Sequence, residues 1–267
     1  MLKTEKLEQK LKDGQVLIGT HAHIAESVIT HIIALQGFDI LWIDTEHSAI
    51  DRRDLNHMLM AVAPTDTAAF VRVTWNDPQI VKPILEMGPD GIVFPNIRTK
   101  EEAELAVASV LYPPDGIRGY GPQRANMYGM IDNDEYLEHV AKKVWKIMQI
   151  EDWRTVERLE EILAVPGIDA IQIGPKDFSA SMGKLKAFDQ EVWDMLQKLV
   201  EKCNKANVPI GTSFAYSGST SPLIEKWISM GVNWINVNSD VTFLMEGAKT
   251  TLHNVQQSLK KHKNRKQ

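Results

Sequence analysis

The chain has 267 residues, 43% apolar and 24% charged, with a formal net charge of −5 from 30 basic and 35 acidic side chains. This is an ordinary globular mix that argues against extended disorder, and the length suits one large domain or two small ones. Five basic residues (Lys260, Lys261, Lys263, Arg265 and Lys266) fall in the tail, so the body is more acidic than the total and offers no nucleic-acid-binding surface. The tail, about 260–267, is expected to be a solvated, disordered end. Cys203 is the only cysteine, which excludes an intrachain disulfide and a cysteine-rich zinc site. Residues 1–12 mix charge and leucine without the apolar core of a signal peptide, and no run approaches the ~18 apolar residues of a membrane span. A cytoplasmic protein without membrane association is the expectation.

Short apolar runs alternate with helix-period segments along the chain. The spacing predicts strands at 16–20, 39–43, 69–73 and 91–94, followed by helices at 25–36, 53–62, 78–87 and 100–111. Asp77-Pro78 reads as an N-cap and first-turn proline. The alternation then breaks at 112–128, a loop carrying Pro113, Pro114, Pro122, Gly116, Gly119 and Gly121, and a loop of this length is usually functional or mobile. A helix at 134–143 follows. Strands at 146–150, 170–173, 209–212 and 234–237 then alternate with helices at 155–163, 191–206, 223–230 and 241–259. Eight strand–helix units of this length predict a (β/α)8 barrel, α/β in class and a single domain over 1–267. A doubly wound open sheet is the alternative, weakened because neither G-x-G-x-x-G nor G-x-x-x-x-G-K-[ST] occurs.

In such a barrel the active site lies at the C-terminal strand ends. The polar residues there are His21 and His23, then Asp44, Glu46 and His47, then Arg72, Gln149 and Glu151, Lys176 and Asp177, Ser213 and Asp240. Glu151 and Asp177 end adjacent strands and suit one hard cation such as Mg²⁺ or Mn²⁺, or else cap the helices that follow them. His47, beside two carboxylates, suits acid–base work, or is a plain loop histidine. Arg72 suits a bidentate grip on a carboxylate, or a structural ion pair with Asp44 or Glu46. His21 and His23 share a face and could bind a transition metal, but no later strand end adds a histidine. Loop histidines are the simpler account. The stripe Val241, Leu244, Met245, Ala248, Leu252 and Val255 lies at helical spacing. It packs either on its own barrel or on another chain.

Several segments, in order, resemble the HpcH/HpaI family of class II (metal-dependent) pyruvate aldolases. They are Asp44-Thr45-Glu46-His47, the stretch from Val71 to Pro78, that from Tyr112 to Gly119, Gln149-Ile150-Glu151, and that from Gly167 to Gly183. The resemblance runs from about Gly19 to Leu244, and the segment from Arg124 to Gly129 leans toward the branch acting on 2-keto-3-deoxyglucarate-type acids. It implies an aldolase that interconverts 4-hydroxy-2-oxo acids or 2-keto-3-deoxy sugar acids with pyruvate and an aldehyde, through an enolate held at a divalent cation (Mg²⁺, Mn²⁺ or Co²⁺). Glu151 and Asp177 match the metal ligands. Arg72 matches the arginine on the enolate oxygens and His47 the acid–base histidine. Glu86 stands where the histidine's aspartate partner usually stands. Gln149, Gly174, Pro175 and Ser213 join Arg72 as implied substrate-binding residues. The resemblance also implies a homotrimer or homohexamer built through the C-terminal helix. Three features depart from the pattern. Lys184-Leu185-Lys186 replaces a tyrosine and an extended loop, Asn238-Ser239-Asp240 replaces Gly-x-Asp, and His21-Ala22-His23 replaces small or hydroxyl residues. The alternatives are a citrate-lyase-like acyl-CoA lyase, or a non-catalytic barrel that binds a keto-acid.

Overall fold

A computed structural model describes residues 1–185, 189–217 and 221–264. Eight parallel strands close into a barrel in the order of the chain, each paired with the next and β8 with β1. They are β1 (Leu17–Ala22), β2 (Ile40–Asp44), β3 (Ala68–Arg72), β4 (Gly91–Phe94), β5 (Trp145–Ile150), β6 (Ala170–Ile173), β7 (Ile210–Phe214) and β8 (Trp234–Ser239). The helices are α1 (Lys3–Lys12), α2 (Ser27–Ala34), α3 (Arg52–Val62), α4 (Pro78–Leu85), α5 (Lys100–Val110), α6 (Asn133–Glu135), α7 (Leu159–Leu163), α8 (Pro175–Ser181), α9 (Gln190–Lys205), α10 (Ser221–Met230) and α11 (Asp240–Asn264). This is the (β/α)8 barrel that the alternation of apolar runs predicts.

Two apolar cores follow from the two faces of the strands. Outward-facing residues such as Leu41, Ile43, Val71 and Ile171 pack under the helices. Inward-facing residues fill the lower barrel, where Trp42, Phe70, Trp145 and Trp234 meet at ring distances of 5.5–6.1 Å. Helix α1, which the sequence reading passes over, closes this inner core from below with Leu7 and Leu11. The inner core reaches only half-way up. Above it the strands present His21, Asp44, Arg72, Gln149, Gln172 and Ser213, so the barrel is apolar at its base and polar at its mouth.

Asp77 caps α4 by accepting from the Gln79 N–H, with Pro78 in the first turn, as the sequence predicts. The expected helix at 134–143 is three short turns of different pitch instead: α6, then Tyr136–Val140, then Ala141–Lys143. The long loop before it is tied down rather than free. Arg118 is buried over the Tyr112 ring at 4.4 Å, and Arg124 reaches the carbonyls of Leu59 and Met87 at the base of α3 and α4. Helix α11 runs on through residues 260–264, where a disordered tail was expected; 265–267 lie outside the described residues. Phe243 packs on Phe38, but Val241, Leu244, Met245, Leu252 and Val255 are exposed. The apolar stripe therefore does not pack on its own barrel.

Candidate active site

The mouth holds a cleft of about 390 Å³ lined by residues that include His21, His23, His47, Arg72, Gln149, Gly174, Pro175, Lys176, Asp177 and Ser213. A larger cleft of about 580 Å³ lies at the other end, between α1 and the starts of the strands. Its charged residues include Glu8, bound to Lys143, and Asp169, bound to Lys146. The mouth, where unspent polar groups converge, is the candidate site.

Its charged half is built from the ends of β2, β3, β5 and β6. Asp44, fully buried at the end of β2, takes Arg72 in a two-pronged ion pair, Nε to Oδ1 at 2.9 Å and Nη2 to Oδ2 at 2.6 Å. Burial pushes the Asp44 carboxyl up, but the Arg72 hydrogen bonds and charge outweigh it and hold the group below the usual range. The same carboxylate accepts from the N–H groups of Glu46 and His47, so one aspartate holds both the arginine and the turn that carries the histidine. Arg72 Nη1 also reaches Glu46 Oε2 at 2.9 Å. The structural ion pair considered for Arg72 is thus real, yet its guanidinium still lines the cleft. His47 is exposed, with Nε2 3.9 Å from Glu46.

Glu151 sits just beyond β5. Its carboxylate accepts from Gln149 Nε2 at 2.6 Å and from the N–H of Asn96, a loop residue with φ of 60°. Burial, then the negative charges of Asp177 and Glu46, push the Glu151 carboxyl up to about 7. Asp177 lies in the first turn of α8 behind Gly174 and Pro175. A side chain at Gly174 would strike Glu151, with a Cβ only 2.6 Å from Oε1, so glycine is what lets β6 come this near. A buried carboxylate crowded by others, beside a Gln149 Oε1 that makes no hydrogen bond among the described residues, is a donor set suited to a hard divalent cation.

The other half of the mouth, from β7, β8 and β1, carries hydrogen bonds in place of ion pairs. His21 Nδ1 lies 3.2 Å from the Asn238 carbonyl, Ser213 Oγ lies 3.5 Å from His21 Nε2, and Gln172 Nε2 donates to Ser213 Oγ at 3.0 Å. Burial lowers the His21 pKa to about 4, so the ring is neutral. His23 stacks on His21 and turns its Nδ1 toward Asp44 at 3.5 Å. The Nδ1 atoms of the two rings thus face different groups, the Asn238 carbonyl and the Asp44 carboxylate.

Glu86 is not brought to His47 within the chain. Helix α4 runs down from the mouth, so Glu86 at its end lies at the base, where residues 88–90 meet Leu2 and Thr4. There it pairs with the buried Arg118 at 3.3 Å, which also donates to the Tyr136 hydroxyl at 3.0 Å. The connection after Gly183 is described only to Leu185; residues 186–188 lie outside the described part. Asn96 and Gln172 were missed in the sequence. The one available signal at Asn96 is the tolerance of asparagine for left-handed backbone.

The fold and much of the sequence are shared with known proteins. The family model for HpcH/HpaI aldolase/citrate lyase matches residues 18–234. The 5-keto-4-deoxy-D-glucarate aldolase of Escherichia coli (strain K12) is 34% identical over 241 residues, 88% of this chain and 91% of that protein. The 2-dehydro-3,6-dideoxy-6-sulfogluconate aldolase of Pseudomonas putida is 33% identical over 244 residues, 91% of this chain and 93% of its own. A crystal structure of an HpcH/HpaI aldolase/citrate lyase family protein from Burkholderia cenocepacia J2315 superposes with a TM-score of 0.86 at 30% identity, covering 94% of this chain and 99% of that one.

Proposed function

The chain belongs to the HpcH/HpaI aldolase/citrate lyase family, and from that premise we propose that it is a divalent-metal-dependent pyruvate aldolase. Its substrates are 4-hydroxy-2-oxo acids of the 2-keto-3-deoxy sugar acid type, interconverted with pyruvate and an aldehyde. The observation that supports this reading is the crowding of Glu151 by the charge of Asp177, beside a cleft that Asp177, Gln149 and Arg72 line. These two carboxylates would hold Mg²⁺, Mn²⁺ or Co²⁺. When bound, such a cation supplies Lewis acidity at the 2-keto oxygen.

The chain's own residues then divide the work. Gln149 holds the Glu151 carboxylate in place. Arg72 is pinned by Asp44 and Glu46, so it offers positive charge to the keto-acid oxygens without reorganising as negative charge develops. Gly174 and Pro175 bring the β6 backbone against the substrate, and Ser213 faces it from β7. His47 accepts the C4 hydroxyl proton, the C3–C4 bond breaks, and its electron pair passes to the enolate of pyruvate as the aldehyde leaves. A proton returned to C3 completes pyruvate.

The exposed apolar stripe of the 25-residue α11 supports a homo-oligomer larger than a dimer, a trimer or hexamer. No helix among the described residues is long and apolar enough to cross a membrane. The single, buried Cys203 accords with a cytoplasmic setting, and the closed barrel in chain order supports one barrel domain. The test is pyruvate release under chelation. Chelator abolishes it and Mg²⁺, Mn²⁺ or Co²⁺ restores it; full activity in excess chelator, with borohydride trapping of pyruvate on a lysine such as Lys176, would establish a Schiff-base enzyme instead.

A further inference from the structure

The loop that joins β4 to α5 is held from both ends, and no step above uses it. Phe94 ends β4, and Asn96 then turns the chain with φ of 60°. Ile97 is buried, and its N–H donates to the Gln149 carbonyl of β5 at 3.1 Å. The N–H groups of Arg98 and Thr99 donate to the Glu102 carboxylate at 2.7 and 3.1 Å, in the capping box that starts α5. The loop is thus tied to the top of β5 on one side and to its own helix on the other.

Asn96 stands where these anchors meet. In an extended strand successive N–H groups point to opposite sides. The left-handed turn brings both to the end of β5, the Asn96 N–H to the Glu151 carboxylate and the Ile97 N–H to the Gln149 carbonyl. Asparagine is one of the few non-glycine residues that adopt this conformation readily. Its side chain is employed as well. Asn96 Oδ1 accepts from Arg98 Nε at 3.1 Å, and Arg98 Nε lies 3.8 Å from the carboxylate of Asp152, the neighbour of Glu151. Asp152 is buried and is gripped by Arg154 through Nε at 2.8 Å and Nη2 at 2.5 Å. Glu151 therefore takes its hydrogen bonds, from Gln149 Nε2 and from the Asn96 N–H, out of a turn and a strand that are themselves fixed.

We propose that Asn96 is a positioning residue for the cation site: its left-handed turn seats an N–H on the Glu151 carboxylate and so sets how tightly a divalent cation binds. The inference rests on the reading that Glu151 and Asp177 hold the cation, and adds a residue outside that pair. A carboxylate left to rotate gives up that freedom when a cation arrives, whereas one already seated gives up less. Hydrogen-bond partners of ligating side chains are worth about 10–100-fold in metal affinity. Asn96 needs no contact with the cation to have this effect.

The test titrates metal-free protein with Mn²⁺ and reads the free ion by EPR, which gives a Kd without turnover. Glu151→Gln locates the site by losing the binding. Asn96→Val keeps the N–H, but its branched side chain resists the left-handed turn, and it weakens Mn²⁺ binding about 10–100-fold. Asn96→Gly keeps the N–H and permits the turn, and it retains most of the wild-type affinity although Arg98 loses its acceptor. Wild-type affinity in Asn96→Val, or an equal loss in Asn96→Gly, overturns the inference. Thermal scans of the metal-free proteins accompany the titration, since a merely structural role lowers the unfolding midpoint and leaves the Kd unchanged. If Asn96→Val does not fold, Asn96→Ala takes its place: a loss of affinity that Asn96→Gly lacks supports the inference, and its absence overturns it. A wild type that takes up no Mn²⁺, or takes it up equally in Glu151→Gln, defeats the metal reading and the inference together. One that binds Mn²⁺ through Glu151, with the same Kd in Asn96→Val, defeats the inference alone.

Discussion

The two halves of the barrel mouth hold their side chains by different means. On the β2–β6 side, charges are concentrated: Asp44 and Glu46 clasp Arg72, and Glu151 stands beside Asp177 with its carboxyl pushed up to about 7. On the β7–β1 side, Gln172, Ser213, His21 and the Asn238 carbonyl form a chain of neutral hydrogen bonds, and the tension lies in the backbone, at a bulge of β8 opposite Thr20 and the left-handed Asn238. Charge that must act on a developing enolate belongs where it is fixed in advance and partly dry. Neutral hydrogen-bonding groups offer direction rather than field strength. The difference separates a charged half of the mouth from a neutral, directional one.

The sharpest way to break this division is to disarm the charged half. Asp177→Asn or Glu151→Gln is expected to lower aldol cleavage by about 10³-fold or more, the scale of losing an electrostatic stabiliser of the transition state. The measurement is pyruvate release from a 4-hydroxy-2-oxo acid with saturating Mn²⁺. Wild-type rates in Asp177→Asn would move the metal elsewhere in the mouth.

Within the charged half, Arg72 and His47 separate by assay. Pyruvate has no C4 hydroxyl, yet exchange of its methyl protons still requires enolisation. Arg72→Ala is therefore expected to impair both exchange and cleavage, while His47→Ala impairs cleavage more than exchange, by ~10²–10⁴-fold. Deuterium incorporation measured beside cleavage decides it. Equal losses in both assays for His47→Ala would make the exposed histidine a shuttle for the methyl proton as well.

Glu86→Ala bears on the opposite end of the barrel. It strips the buried Arg118 of its carboxylate, and breaking such a pair costs about 3–5 kcal/mol of stability. A lower unfolding midpoint with near-normal cleavage at 25 °C is expected. A cleavage defect as deep as that of His47→Ala, without loss of stability, would mean that Glu86 serves the mouth of a neighbouring copy.

Much of this was legible in the sequence because strands buried on both faces read as apolar runs, and because strand ends in a barrel always meet at one mouth. Glu151, Asp177, Arg72 and His47 come together for that reason alone. The same topology takes Glu86 away from His47 within its own chain: a helix that follows a strand ends at the base, so its last residue does not face its own mouth. Helix α1 escaped notice because its few apolar residues, Leu7 and Leu11 among many charges, make sense only once there is an open barrel base to plug. The setting of His21 was not legible at all. It depends on an extra residue in β8 and on the backbone angle of Asn238, which are properties of strand pairing rather than of any local pattern.

The smallest expected effect sharpens the comparison in thermodynamic terms, because a carboxylate crowded for function should weaken the metal-free fold. The Glu151 carboxyl titrates near 7 in the folded chain, against an ordinary value of 4.5. Below 4.5 both folded and unfolded chains hold the proton and the group contributes nothing. Between 4.5 and 7 the folded chain keeps a proton that the unfolded chain releases, so stability falls as pH rises. Above 7 the folded carboxylate is ionised among other negative charges, at a cost of about 3 kcal/mol by the usual conversion. Glu151→Gln removes that charge. In metal-free protein it is expected to raise the unfolding midpoint at pH 8 by roughly 6–12 °C, at roughly 2–4 °C per kcal/mol for a chain of this size. At pH 5 the gain should nearly vanish. Added Mn²⁺ should then raise the midpoint of the wild type at pH 8 and leave the variant where it is. Thermal scans at the two pH values, with and without metal, decide it. Equal midpoints for wild type and variant at pH 8 without metal would show that Glu151 is not under electrostatic stress, and the two halves of the mouth would no longer differ in how their side chains are held.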